Sequence, residues 1–234
     1  MLNILIIQNG YCTTSINEYI NNIITHNVKI LIIKSYDTNI NYNTIDFIKK
    51  WNRIIILGGY QSVRNLEIYP YLNNVIDFIK IGISLNIPIL GICLGCQLIA
   101  KAYDNEIIKM DYGQFGYNYK LKITEDGLKD PIFNNCNNLD NILSFHMDTF
   151  NIKNDNPVKI LAKKDLFPYI INVGSAYGVQ FHPEVSIPVL KCYLEMKCDI
   201  LFNKIKMDEI LKYAIDNEQI ILKNGTSIIK QWLL

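Results

Sequence analysis

The chain has 234 residues, half of them hydrophobic and 19% charged, with 23 Lys and Arg against 22 Asp and Glu for a net charge of +1. That length suits one large α/β domain, is short for two, and allows a core that needs no staples. The balanced charge excludes a strong basic footprint for nucleic acid and an acidic, self-repelling disordered chain. Residues 1–8 have no basic leader and too short an apolar run for a secretory signal, so 3–8 is read as a first buried strand. Runs at 28–33, 53–57 and 87–92 are β-branched and nearly continuous in hydrophobicity, as strands buried on both faces of a parallel sheet are. Between them, 14–26, 43–51 and 69–85 space their apolar residues by three and four, as amphipathic helices do. This alternation predicts an α/β fold, a doubly wound and mostly parallel open sheet with helices on both faces. The Asn-rich stretch 35–44 reads as a loop.

After about residue 105 the pattern changes to strand-like pieces at 117–123, 140–146, 158–162, 167–173 and 176–181. Turn-rich stretches such as 134–138 separate them, which adds an antiparallel region to the second half. Helical spacing returns over 187–203 and near 207–216, and the chain ends on the apolar Ile228-Ile229-Lys230-Gln231-Trp232-Leu233-Leu234. A Trp-Leu-Leu end left in water would be an exposed hydrophobic patch. It either folds back on the domain, the favoured reading, or marks a partner surface. With no repeat and no long linker, 1–234 is expected to be a single domain, its core about 1–203 and 204–234 a C-terminal helical extension. No window holds 18 apolar residues in a row, so no membrane span is expected. The six cysteines are scattered and form no disulfide framework, which makes a reducing cytoplasm the expected location. The 43 isoleucines and 28 asparagines are residues an AT-rich genome favours and carry little functional content.

Specific chemistry begins at Gly91-Ile92-Cys93-Leu94-Gly95-Cys96-Gln97, which follows a buried strand and opens a helix, 94–102. A nucleophile at a sharp strand-to-helix turn needs small neighbours at minus two and plus two. The helix N-terminus then lies beneath the sulfur, favours a thiolate and offers N–H groups to an oxyanion. A buried structural cysteine is the bland alternative, and the flanking glycines count against it for Cys93. Cys93-Leu94-Gly95-Cys96 is also a CxxC, but it follows the fourth strand rather than the first, where a redox dithiol would stand. No second CxxC or close His pair exists to complete a zinc knuckle, so no metal is expected. Cys96 reads as a small helical residue packed under the sheet.

Three histidines are available as a general base. His26 ends the first predicted helix and reads as a surface or C-cap residue. His146 lies in Ser144-Phe145-His146-Met147-Asp148-Thr149, and His182 in Gly178-Val179-Gln180-Phe181-His182-Pro183-Glu184. In an extended segment His182 and Glu184 point the same way, so Glu184 can fix one imidazole nitrogen and leave the other for Cys93. Pro183 stiffens the backbone between them.

With these residues the chain resembles the class I (triad) glutamine amidotransferases over roughly residues 1–190. Leu57-Gly58-Gly59 resembles the family's oxyanion glycine loop, 91–97 its nucleophile motif and 178–184 its His/Glu motif. Phe115-Gly116-Tyr117 and Ser144 to Asp148 further resemble the amidotransferase part of GMP synthases and similar stand-alone proteins, with Phe145 and Met147 as departures. The resemblance implies a flavodoxin-like sheet and a glutaminase in which Cys93 forms a glutamyl thioester, Gly59 and Leu94 hold the oxyanion, and His182 protonates the departing ammonia. It implies that Gln97 helps hold glutamine and that His146 and Asp148 line its amino-acid end, with a purely structural strand role an equal alternative for these two. No cofactor is expected. With no GxxxxGK[ST] loop in the sequence, the ammonia is expected to reach a partner synthetase on the GMP synthase pattern. A free-standing γ-glutamyl amide or peptide hydrolase is the second reading, and a non-enzymatic interaction protein the third.

Overall fold

The computed structural model describes residues 1–11, 16–24, 27–37, 41–117, 120–134, 139–201 and 204–234. His26, Cys12, Cys136, most of the turn-rich stretch 134–138, part of the 35–44 loop and the ends of the predicted helix 14–26 lie outside them. The four near-continuous apolar runs form β1 (Leu2–Gln8), β2 (Val28–Lys34), β3 (Arg53–Ile56) and β4 (Ile89–Ile92). The amphipathic stretches form α1 (Ile16–Ile23), α2 (Ile45–Ile48) and α3 (Tyr71–Ser84), and the elbow opens α4 (Leu94–Ala102). α2 is one turn long, shorter than its pattern suggests. Thr44 caps it by accepting from the Phe47 N–H (3.2 Å), and by Asn52 the backbone already donates to the Asn3 carbonyl (2.8 Å). Joining the sheet ends the helix.

Six more strands follow: β5 (Glu106–Gly116), β6 (Lys122–Ile123), β7 (Ser144–Asn151), β8 (Lys159–Lys164), β9 (Phe167–Val173) and β10 (Ala176–Val179). Three helices close the chain, α5 (Ile187–Leu201), α6 (Lys204–Asp216) and α7 (Glu218–Leu233). β5 corrects the sequence reading, which places a strand at 117–123 and none between the elbow helix and residue 117. β5 pairs antiparallel with β7 as a separate two-stranded sheet, and its register breaks between Lys109 and Gln114. That irregularity destroys the period-two alternation by which a strand is recognised.

The main sheet runs β2-β1-β3-β4-β10-β9-β8-β6. β2, β1, β3, β4 and β10 are mutually parallel, while β9, β8 and β6 extend the sheet in antiparallel pairs. Alternate residues of the parallel strands face opposite layers. Leu5, Ile7, Ile54 and Ile56 join one core with α3 and α4 residues such as Phe78 and Leu98. Ile4, Ile6 and Ile55 join the other with α1 and with Ile228, Ile229, Trp232 and Leu233 of α7. The apolar tail is therefore a helix folded back beside α1, against the layer opposite α3 and α4. A third cluster, including Leu143, Phe145, Leu190, Leu194 and Ile210, ties α5 and α6 to β7.

β10 decides the position of the site. It is inserted between β4 and β9, so the carboxyl ends of β4 and β10 emerge side by side. The Cys93 N–H donates to the Val179 carbonyl (2.8 Å) across that seam.

Candidate active site

At the end of β4 the backbone of Cys93 adopts φ 52° and ψ −105°, a conformation that non-glycine residues rarely take. The turn closes only because its flanks lack side chains. A Cβ on Gly91 would lie 2.5 Å from the Gly95 carbonyl oxygen, and one on Gly95 would lie 2.1 Å from that of Ile56. α4 then starts at Leu94, whose N–H has no acceptor within the helix. Gly59, in the loop after β3, packs against the Leu94 side chain, so the two expected oxyanion donors are neighbours. Cys93 and Cys96 carry free thiols. Cys96 is fully buried, and burial followed by the charge of Cys93 pushes its thiol well up, so the CxxC is no exposed dithiol. Cys192 on α5 is disulfide-bonded.

His182 leaves the end of β10 with its N–H donating to the Leu143 carbonyl (2.7 Å), and its Nδ1 lies 3.0 Å from Glu184 Oε1. That bond leaves Nε2 for Cys93, with which the imidazole also hydrogen-bonds. All three side chains are buried. Burial pushes the imidazole down, but the charges of Glu184 and Cys93 outweigh it and bring His182 up to about 10. The surroundings of His182 therefore favour its charged, protonated ring. Tyr193 of α5 meets the His182 ring edge-on, with centroids 5.3 Å apart at 71°. No motif marks Tyr193 in the sequence. Its helical spacing signals only a core-facing residue.

The three remaining sequence candidates take different parts. His146 lies 3.0 Å through Nδ1 from the Asp148 carbonyl and 3.2 Å through Nε2 from the Tyr169 hydroxyl, so both nitrogens are engaged within the protein. Burial brings it down to about 3, only partly opposed by the backbone bond at Asp148, and it stays neutral. Gln97 donates to the same Asp148 carbonyl (3.0 Å). The Asp148 carboxylate receives Arg64 Nε (3.1 Å) and the Ser62 hydroxyl. Arg64 and Ser62 escape a reading by motif because they approach from the loop after β3, far from Asp148 in the chain.

Cys93, Leu94, Gln97, Gly59, His146, Asp148, His182 and Glu184 all line one cavity of about 250 Å³. Among the described residues no group of three or more His, Cys, Asp or Glu is placed to hold a metal ion. Residues 10–194 match the family model of glutamine amidotransferase class-I. The chain is a class I glutamine amidotransferase. As such it is an enzyme with glutamine amidohydrolase activity. The amidotransferase is 35% identical to a glutamine amidotransferase-like protein of Acanthamoeba polyphaga mimivirus, over 97% of this chain and 93% of that one. It is 30% identical to a subunit of the glutamine-hydrolysing GMP synthase of Sulfolobus acidocaldarius, over 61% of this chain and 72% of the other. In fold it matches the crystal structure of a glutamine amidotransferase from Thermotoga maritima, with a TM-score of 0.81 and 22% identity over 99% of this chain and 98% of that one. No helix among the described residues of the amidotransferase is long and apolar enough to cross a membrane.

Proposed function

We propose that Cys93, His182 and Glu184 are the catalytic triad with which this amidotransferase hydrolyses the side-chain amide of glutamine, and that the ammonia passes to a separate synthetase. The observation that carries the reading is His182 held between Cys93 and Glu184, all three buried at one wall of the cavity. The Cys93 thiolate attacks the amide carbon, and the backbone N–H groups of Gly59 and Leu94 receive the developing oxyanion. His182 gives its proton to the nitrogen, ammonia leaves, and a glutamyl thioester remains on Cys93. Water, deprotonated by the same imidazole, then adds to the thioester and releases glutamate. Glu184 keeps the ring oriented and balances its charge.

Asp148, assisted by Gln97, meets the charged amino-acid end of glutamine, and His146 holds the Asp148 backbone in place. The chain acts as one unit over 1–234, with α6 and α7 part of the scaffold behind the site. The likeness to a GMP synthase component supports a synthetase of that kind as the ammonia acceptor. Glutamate release by the purified chain, alone and in the presence of a GMP-forming synthetase, tests both parts. Turnover lost in Cys93→Ala supports the triad, and turnover that survives it removes the triad. A synthetase that raises turnover and aminates its own substrate from glutamine supports the partnership.

A further inference from the structure

Five tyrosines form a closed circuit of ring contacts at the mouth of the cavity. Tyr11 stacks on Tyr60 (centroids 5.2 Å apart, 26°), Tyr60 meets Tyr69 (6.1 Å), Tyr69 meets Tyr71 (6.3 Å), Tyr71 meets Tyr36 (6.3 Å) and Tyr36 returns to Tyr11 (5.3 Å). They come from the segments after β1, β2 and β3 and from the start of α3, all at the carboxyl edge of the sheet. Tyr11 and Tyr60 line the cavity, yet Tyr11 keeps 63% of its surface in water. Ammonia release needs no aromatic surface, and an exposed ring backed by four half-buried ones beside a reaction centre marks a binding surface.

The loop after β3 tells which end of a substrate this surface serves. At one end of the loop Gly58 abuts His182, since a Cβ there would lie 2.9 Å from the imidazole Cε1. At the other end Ser62 and Arg64 hold Asp148. Gly10 packs against Gly58 and Gly59, which sets the segment that carries Tyr11 beside the His182 end of the loop. The nitrogen that leaves must lie at His182 to receive its proton, so a substituent on that nitrogen lies at the Gly58 end of the loop, the end beside which Tyr11 stands.

Resting on the triad reading, we propose that the tyrosine circuit is a subsite for a flat apolar substituent on the leaving nitrogen, and that the enzyme cleaves γ-glutamyl amides of ring-bearing amines as well as glutamine. The Cys93 sulfur forms its bond to the γ-carbonyl carbon, the C–N bond breaks, and the amine departs with the proton from His182. Water then cleaves the thioester to glutamate, and its proton returns to the imidazole.

The test measures kcat/KM by glutamate release for glutamine, L-γ-glutamyl methylamide and L-γ-glutamyl benzylamide, the last two being alkylamides of similar reactivity. The benzylamide is expected to exceed the methylamide by roughly three- to tenfold, the scale of one aromatic stacking contact. Tyr11→Ala should erase that preference through KM, Tyr11→Phe should retain it, and both should leave glutamine turnover within about twofold. If glutamine is hydrolysed and the benzylamide is not preferred, or the preference survives Tyr11→Ala, the subsite is overturned while the glutaminase stands. If Tyr11→Ala leaves the preference intact but abolishes association with a synthetase, the surface is a docking face and the subsite is likewise overturned. Failure on all three substrates removes the triad reading and the subsite together.

Discussion

Gly225→Ala separates two views of α7, as a cover for the sheet or as the support behind the triad. Gly225 lies on the buried face of α7 against the backbone of Pro183, and a Cβ there would be 2.1 Å from the Pro183 carbonyl oxygen and 3.0 Å from its carbon. On helix propensity alone the substitution stabilises, by about 0.5–1 kcal/mol. The contact argues the reverse. Ordinary van der Waals distance begins near 3.4 Å, so α7 and Pro183 must part by about 1 Å, and overpacking on that scale costs about 1–3 kcal/mol. The net loss is about 0–2.5 kcal/mol, centred near 1, or a melting temperature lower by roughly 2–4 °C at that centre in a chain of this size. Pro183 stands between His182 and Glu184, so the same shift reaches the base and its orienting carboxylate. A misplacement near 1 Å can cost about a hundredfold in rate, and kcat is expected to fall by about 10- to 100-fold with KM little changed. Thermal melting and steady-state glutaminase assays on the same preparation read both effects. A variant that melts higher and turns over normally would refute the reasoning.

A glutamine-analogue electrophile should label Cys93 far faster than buried Cys96, as tandem mass spectrometry of the labelled peptide will show; preferential labelling of Cys96 would sink the triad. His182→Ala should lose about two to four orders of magnitude in kcat, and Glu184→Gln less, because a mis-set ring still leaves an imidazole in place. If His182→Ala turned over normally while His146→Ala abolished activity, the base would be misassigned. Stability should depend on pH in adjoining windows. His146, at about 3 when folded against an ordinary 6.5, lets the unfolded chain bind the extra proton, so stability drops as pH falls from 6.5 toward 3. His182, raised to about 10, contributes fully below 6.5 and loses its contribution as pH rises toward 10. Melting curves across pH should therefore show these two contributions together at their greatest near 6.5, and His146→Gln should flatten the acid side. An acid side unchanged in that variant would place the acid sensitivity elsewhere.

The parallel half of the fold is legible because its strands are buried on both faces, so hydrophobic runs alone mark them, and because the elbow glycines fix where α4 begins. β5 is hidden by its broken register. α7 is expected only as an undivided part of the helical extension 204–234, because its buried face contains Asn224 and Gly225 where apolar residues would be sought. Asn224 is buried and donates to the Asp140 carbonyl (2.6 Å), and at position 225 only a glycine is small enough to pass Pro183. The triad candidates are readable because each lies in a short motif whose neighbours serve the same chemistry. Arg64, Ser62, Tyr193 and the five tyrosines carry no such local mark. Their meaning comes from convergence across separate loops, which periodicity along the chain does not record.

The pairing of β4 with β10 has a consequence for how the enzyme comes into being. Carried past the paired ends of β4 and β10, Cys93 and His182 are about ninety residues apart in the chain. At roughly 5–20 residues per second of synthesis, the nucleophile leaves the ribosome about 5–20 s before its base. During that interval the first four strands can pair and bury their apolar faces, but the slot beside β4 stays open until β10 arrives. Reactivity is thus deferred until β10 has joined β4 and α7 has closed behind Pro183, and a nascent chain that lacks them carries its thiol without the means to use it.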